Sequence, residues 1–312
     1  MTIFIRKALL FALLAAVIYL MIFAVLFYVR TYNDLPFIFR TTQGNTYRGG
    51  HTYIAFRQFN PKEKYDVIVL GSSHAYRGYD PEIFKRYNYK MFNLGTNSQI
   101  NLVSYFIAKE FIRKENCKNV ILDIYDPVFK RTSLESVSDY IQNSTSDKNV
   151  LGLIKEEKDI RTINMLTMRV LNNFNGIFNP DTAGVNNGYI PYNTQLQPDA
   201  KRLIRDNIPD EKALIHFEKL IKYLQGEGIN VIAAEHPLPA RFTIDKTKHE
   251  LLRQTITPIL RKYNIPFYDH LYDSTMTDIP YFSNTNHLSV SGVEKYNTTL
   301  LNELIRDNNL KK

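Results

Sequence analysis

The chain has no tryptophan and a single cysteine, Cys117. One thiol closes no intramolecular disulfide, so the fold rests on its core, and cysteine usage leaves the redox compartment open. Paired Cys and His at zinc-binding spacings are also missing. No block of basic residues interleaved with aromatics appears, which argues against a nucleic-acid groove despite a formal net charge of +8. That charge suits a membrane surface or an anionic polymer equally well and selects neither by itself. Apolar and aromatic side chains are abundant, with 21 Tyr and 19 Phe in 312 residues, enough for a large core in one α/β domain.

Charge is missing altogether from Ala8 to Val29. At 1.5 Å per residue that run can cross roughly 30 Å of hydrocarbon as one helix. A cleaved signal peptide is the competing reading, but bulky Phe27-Tyr28-Val29 offers no small-residue cleavage site. The sequence therefore predicts an anchor in residues 1–30 and a stalk or irregular segment over 31–64. The main domain is expected over 65–312, on the outer side of the cell membrane. Basic residues flank the run almost evenly, with Arg6 and Lys7 before and Arg30, Arg40 and Arg48 after. The short amino-terminal tail, rather than the charge count, favours that orientation.

The domain is organised around Tyr65 to Tyr76, YDVIVLGSSHAY. Val67 to Leu70 is a continuous, mostly β-branched run, the pattern of a strand buried on both faces of a parallel sheet, and Gly71 breaks it. Further strands are expected at Met91 to Leu94, Val120 to Ile124, Val231 to Ala234 and Pro266 to Asp269. Helical patterns stand at Ile100 to Arg113, Asp210 to Glu227, Leu251 to Tyr263 and Ser291 to Arg306. This alternation predicts a doubly wound, flavodoxin-like parallel sheet of about five strands. Residues 129–209 read as an insertion. In it Thr132 to Ser146 reads as loop, Asp159 to Asn173 as helix, and Asn175 to Pro198 as a lid-like loop whose shortening should alter specificity more than stability.

In open α/β sheets the ligand crevice lies at the carboxyl ends of the strands, where Ser73 would stand. A serine oxygen needs a base within hydrogen-bond reach, and the polar loop Tyr281-Phe-Ser-Asn-Thr-Asn-His287 supplies one just before the last helix. Each residue also has a plainer role: Ser72 or Ser73 as a helix cap, His287 as an exposed loop residue, Asn97 as a turn former. His236, in Glu235-His236-Pro237, is either a substrate contact or a solvated histidine of a Pro-stiffened loop. His74 is expected to start a helix and point away from Ser73.

The order and spacing of these short motifs resemble the SGNH (GDSL-type) hydrolase superfamily of esterases and acyltransferases. Gly71-Ser72-Ser73 is similar to its first block, Asn93-Leu94-Gly95 to its second, and Asn284-Thr285-Asn286-His287-Leu288 to its fifth. The resemblance implies Ser73 as nucleophile, His287 as base, Asn284 at the position of the usual triad Asp, and Gly95 with Asn97 or His236 around the oxyanion. It implies no metal or organic cofactor. Two departures stand out: Asn284 brings an amide where a carboxylate is usual, and Tyr125-Asp126-Pro127 follows the third strand where an Asn donor is usual. Asp126, Asp269 or Asp273 could orient His287 instead. The function implied is ester hydrolysis or O-acyl transfer on an acylated cell-envelope glycan, with a partner membrane acyltransferase as a fitting companion. A catalytically silent scaffold for glycan or a membrane enzyme, and a lipid-directed esterase, are the alternatives.

Overall fold

A computed structural model of the chain describes residues 2–29, 37–38, 48–129, 133–175, 178–179, 184–194, 196, 209–239, 246–276 and 278–312. The chain opens with helix α1, Thr2–Tyr28. Its segment Ile3–Tyr28 is long and apolar enough, at mean hydropathy 3.0, to be a membrane span or a signal sequence. Strand β1 (Arg48–Gly49) and helix α2 (Gly50–Gln58) follow, then β2 (Tyr65–Leu70), α3 (Ser73–Gly78), α4 (Pro81–Arg86) and β3 (Met91–Asn93). Next come α5 (Asn101–Phe111) and β4 (Cys117–Asp123). Helices α6 (Leu134–Asn143), α7 (Asp147–Glu157) and α8 (Arg161–Asn175) lead to the short strand β5 (Phe178–Asn179). The chain ends through α9 (Glu211–Gly226), β6 (Asn230–Glu235), α10 (Lys246–Lys262), β7 (Phe267–Asp269), α11 (Asp278–Tyr281) and α12 (Val290–Arg306).

Strands β3, β2, β4, β6 and β7 pair in that order, every pair parallel. This is the doubly wound, flavodoxin-like sheet expected from the sequence. Period-two alternation explains why both faces are covered. Ile68, Leu70, Val120 and Leu122 face one core, which α5 and α9 close with Phe106, Ile107, Phe217 and Leu220. Val67, Val69, Ile121 and Ile232 face the other, closed by Phe84, Val293, Leu300 and Leu304 from α4 and α12. Because the chain runs from β2 to β3 on one side and then to β4 on the other, the order reverses between β2 and β4. A crevice opens at such a reversal, beyond the carboxyl ends of those strands.

Two loop expectations give way to helices. Part of the expected stalk forms α2, which seats Phe56 in the core beside Phe59. The stretch Thr132 to Ser146, read as loop for its Ser, Asn and Asp, is mostly α6, capped by Ser133. Its polar side chains are satisfied internally: Asp139 accepts from Thr52 at 2.5 Å, Asn143 Oδ1 accepts from the Gly49 N–H at 2.9 Å, and Ser136 Oγ accepts from the Ile100 N–H at 3.2 Å. Tertiary partners thus override a local preference for turns.

Of the expected lid, residues 184–194 and 196 are described, and they run across the carboxyl edge of the sheet. The Asn93 N–H donates to the Asn187 carbonyl at 2.9 Å, and the Ile190 N–H to the Tyr76 carbonyl at 3.0 Å. Gly188 sits so close to the sheet that an added Cβ would fall 1.8 Å from the Asn93 carbonyl oxygen. Tyr189 and Leu196 are core residues. Shortening this segment would therefore remove core residues, so a cost in stability is expected beside any change in specificity. Helix α1 is tied to α8: Tyr19 donates to Asn164 at 2.8 Å, and Phe23 packs with Met168.

Candidate active site

Helix α3 begins where β2 ends, and its capping sets the stage. Ser72 occupies the cap position and its Oγ accepts from the His74 N–H. Ser73, as the first helical residue, is left with its hydroxyl directed elsewhere. That hydroxyl lies 2.9 Å from His287 Nε2. His287 is presented by a closed turn in which Phe282 and Leu288 bridge and the Ser283 N–H donates to the His287 carbonyl at 2.9 Å. Inside the turn Asn284 Oδ1 accepts from the N–H groups of Asn286 at 3.0 Å and His287 at 2.9 Å. The same amide faces His287 Nδ1, with Oδ1 at 3.2 Å and Nδ2 at 3.1 Å. Ser73, His287 and Asn284 are thus brought into one chain of contacts across the crevice.

Two of the three carboxylates that could stand in for an Asp at 284 have other partners. Asp269 pairs with Arg253 at 3.0 Å, Asp273 accepts from Thr275 at 2.8 Å, and Asp126 opens a short 3-10 turn, Asp126–Phe129. His287 therefore has an uncharged partner at Nδ1. Burial, then Arg77, then His236 hold its pKa well below the usual histidine value, at about 3. The ring is neutral near pH 7 and can accept a proton, but the Asn284 amide at its Nδ1 brings no charge to stabilise the imidazolium that results.

Gly95 lies against the first turn of α3, where an added Cβ would stand 2.9 Å from both Ala75 Cβ and the Tyr76 nitrogen. Its N–H, expected to bind an oxyanion, instead donates to Asn93 Oδ1 at 3.0 Å. The reason is local: Asn93 Nδ2 donates to the Ala75 and Tyr79 carbonyls, which turns its oxygen toward Gly95. Asn97 is half-buried nearby, and Tyr76 donates its phenolic O–H to Asn97 Oδ1 at 2.8 Å, leaving the amide Nδ2 as the available donor. The Ser73 N–H, at the first turn of a helix, also lacks an intrahelical acceptor.

His236 is not the solvated residue of a Pro-stiffened loop. It is 2 % exposed, its Nδ1 lies 2.9 Å from the Pro237 carbonyl oxygen, and burial lowers its pKa to about 4. His74 does not point away either. Its ring stacks between Tyr125, at 3.5 Å, and His236, at 4.1 Å, and lies 5.5 Å from His287. These rings form a packed layer next to His287. Deeper still, Asp123 closes the end of β4, accepting from Tyr79 at 3.1 Å, and burial holds its carboxyl well above the usual range. Sequence reasoning missed Asp123 because VILD reads as one more strand residue. Among the described residues no group of three or more His, Cys, Asp or Glu is placed to hold a metal ion.

Asp123 also explains Gly71. A Cβ there would stand 2.6 Å from Asp123 Cβ and 2.9 Å from Ala75 Cβ. Gly71→Ala is expected to destabilise the fold by about 1–3 kcal/mol through overpacking and to displace Ser73 with α3. Thermal unfolding checks this; an unchanged midpoint would mean that Asp123 can give way.

No family model and no curated protein matches the chain. Among solved structures, it is similar to a proposed acylhydrolase from Bacteroides fragilis, with 12 % identity and a TM-score of 0.41 over 80 % of this chain and 94 % of that one. It is also similar to a protein described as a proposed platelet activating factor from Streptococcus pneumonia, with 10 % identity and a TM-score of 0.40 over 81 % and 89 % of the two chains. Likeness at this level leaves the site to be judged on its own geometry.

Proposed function

We propose that this chain is a serine-dependent enzyme of acyl esters, of the SGNH type, that hydrolyses or transfers acyl groups on a cell-envelope glycan. In this reading α1 anchors it in the membrane with the domain outside the cytoplasm. The observation that carries the reading is the 2.9 Å contact between Ser73 Oγ and His287 Nε2, at the crevice that the strand order creates.

In the proposed reaction His287 takes the Ser73 proton as Oγ attacks the acyl carbonyl, and then returns it to the leaving alcohol. Water or a second sugar hydroxyl, activated by the same ring, accepts the acyl group. The Ser73 N–H and the Asn97 amide are the donors best placed for the developing oxyanion. Asn284 holds the ring in position without supplying charge.

One experiment tests both nucleophile and topology. Intact cells are treated with a membrane-impermeant fluorophosphonate, and a permeant analogue serves as control. Modification of Ser73 by both is expected. Labelling only by the permeant probe reverses the orientation, and labelling by neither, also in detergent, removes the catalytic reading. In that case the second reading, a silent glycan- or enzyme-binding protein, takes over; the uncharged partner of His287 is what favours it.

A further inference from the structure

Arg77 has no role in the chemistry above, yet it stands one helical turn beyond Ser73 on α3. Residues four apart on a helix share a face, with about 5–6 Å between their Cβ atoms. The Arg77 guanidinium lies 4.1 Å from the centroid of the Tyr192 ring and 5.2 Å from that of Tyr76. Tyr192 in turn meets His287 edge to face at 5.7 Å. Tyr76 is braced from behind by His51, ring to ring at 4.1 Å. The guanidinium is therefore fixed on an aromatic platform beside the nucleophile and the base.

Its electrostatic position is costly as it stands. Arg77 is half-buried and, among the described residues, has no carboxylate partner. A partly desolvated charge without a counterion is unfavourable, and contacts with ring faces offset only part of that cost. The charge also opposes protonation of His287, the step the base must perform. An anion brought by the substrate removes both penalties at once. A guanidinium is a planar fork that matches a carboxylate with two parallel hydrogen bonds. A phosphate dianion would call for a second cation, and no other described Lys or Arg lies over Tyr76 or Tyr192.

We infer that Arg77, on the Tyr76 and Tyr192 platform, binds a carboxylate of the substrate within one sugar ring of the acyl ester, so that the substrate is an acidic, uronate-like sugar. This rests on the Ser73 reading for the identity of the reaction, but the anion site stands on its own geometry.

The test uses the full chain in detergent with 3-acetoxybenzoate and its uncharged methyl ester, each corrected for spontaneous hydrolysis. The carboxylate is expected to raise kcat/KM at least about tenfold in the wild type, a difference of about 1.4 kcal/mol. Arg77→Gln should bring the ratio to near one, Arg77→Lys should keep part of it, and Arg77→Glu should invert it. A wild-type ratio near one overturns the inference, as does an Arg77→Gln variant in which both esters lose equally. If no variant turns over either ester, binding of 3-hydroxybenzoate, followed by tyrosine fluorescence in wild type and Arg77→Gln, decides. Binding lost only in the variant would retire the catalytic reading and keep the anion site. Binding equal in both would retire the anion site as well.

Discussion

Alanine at Ser73, alanine at His287 and both changes together are expected to lower acyl-ester turnover by the same factor. In a serine protease, loss of nucleophile or base alone costs nearly as much as loss of the whole triad, roughly 10⁶ in kcat, because the groups act as one unit. Here the wild-type rate already lacks a charged partner for the base, so the loss should be smaller, on the order of 10³ to 10⁴. Steady-state rates on a small acetyl ester measure it. Equality of the three variants is the discriminating feature. If the two single losses multiply in the double variant, Ser73 and His287 act independently, and their 2.9 Å contact is structural. His74 and His236 serve as internal controls. Both are buried and stacked on one another next to His287, so altering them should change stability as well as rate, whereas Ser73→Ala should change rate alone.

How much of this was legible in the sequence follows from which interactions are local. The strands β2 and β4 announce themselves because a strand covered on both faces must be apolar at every position, and Val67 to Leu70 and Val120 to Leu122 are. Ser73 and His287 were legible from their places relative to that pattern: one just past a strand, the other just before the last helix. What stayed hidden depends on distant partners. Helix α6 looks polar until Thr52 and Gly49, from the other side of β2, satisfy Asp139 and Asn143. The engagement of Gly95 depends on where Asn93 directs its own amide. The layer of His74 and His236 is invisible because adjacency in sequence says nothing about which rings stack across a crevice. Arg77 has a signal in the sequence: SHAYRG places a cation four residues after Ser73, on the same helical face.

Asn284→Asp is expected to raise activity, and the geometry of the turn says why the change should be accommodated. Asn284 Oδ1 already accepts two backbone N–H groups, from Asn286 and His287. A carboxylate can keep both bonds with one oxygen and set the other at the place of Nδ2, now 3.1 Å from His287 Nδ1. That substitution replaces a donor by an acceptor. As an amide, residue 284 can satisfy an unprotonated Nδ1 through Nδ2, which leaves the proton on Nε2, where it blocks acceptance from Ser73. As a carboxylate it can only accept, so the proton belongs on Nδ1 and Nε2 is free to act as base. The added negative charge also favours imidazolium, so the pKa of His287 should rise from about 3. Two measurements follow. The rate above pH 7 should increase, by up to about 10⁴ if the full effect known from the reverse change in a serine protease is recovered. The acidic limb of kcat/KM should move to higher pH, because the base with the higher pKa loses activity sooner on acidification. A fall in rate with an unmoved acidic limb would mean that the new carboxylate does not reach Nδ1, and that the amide is the partner this base is built to use.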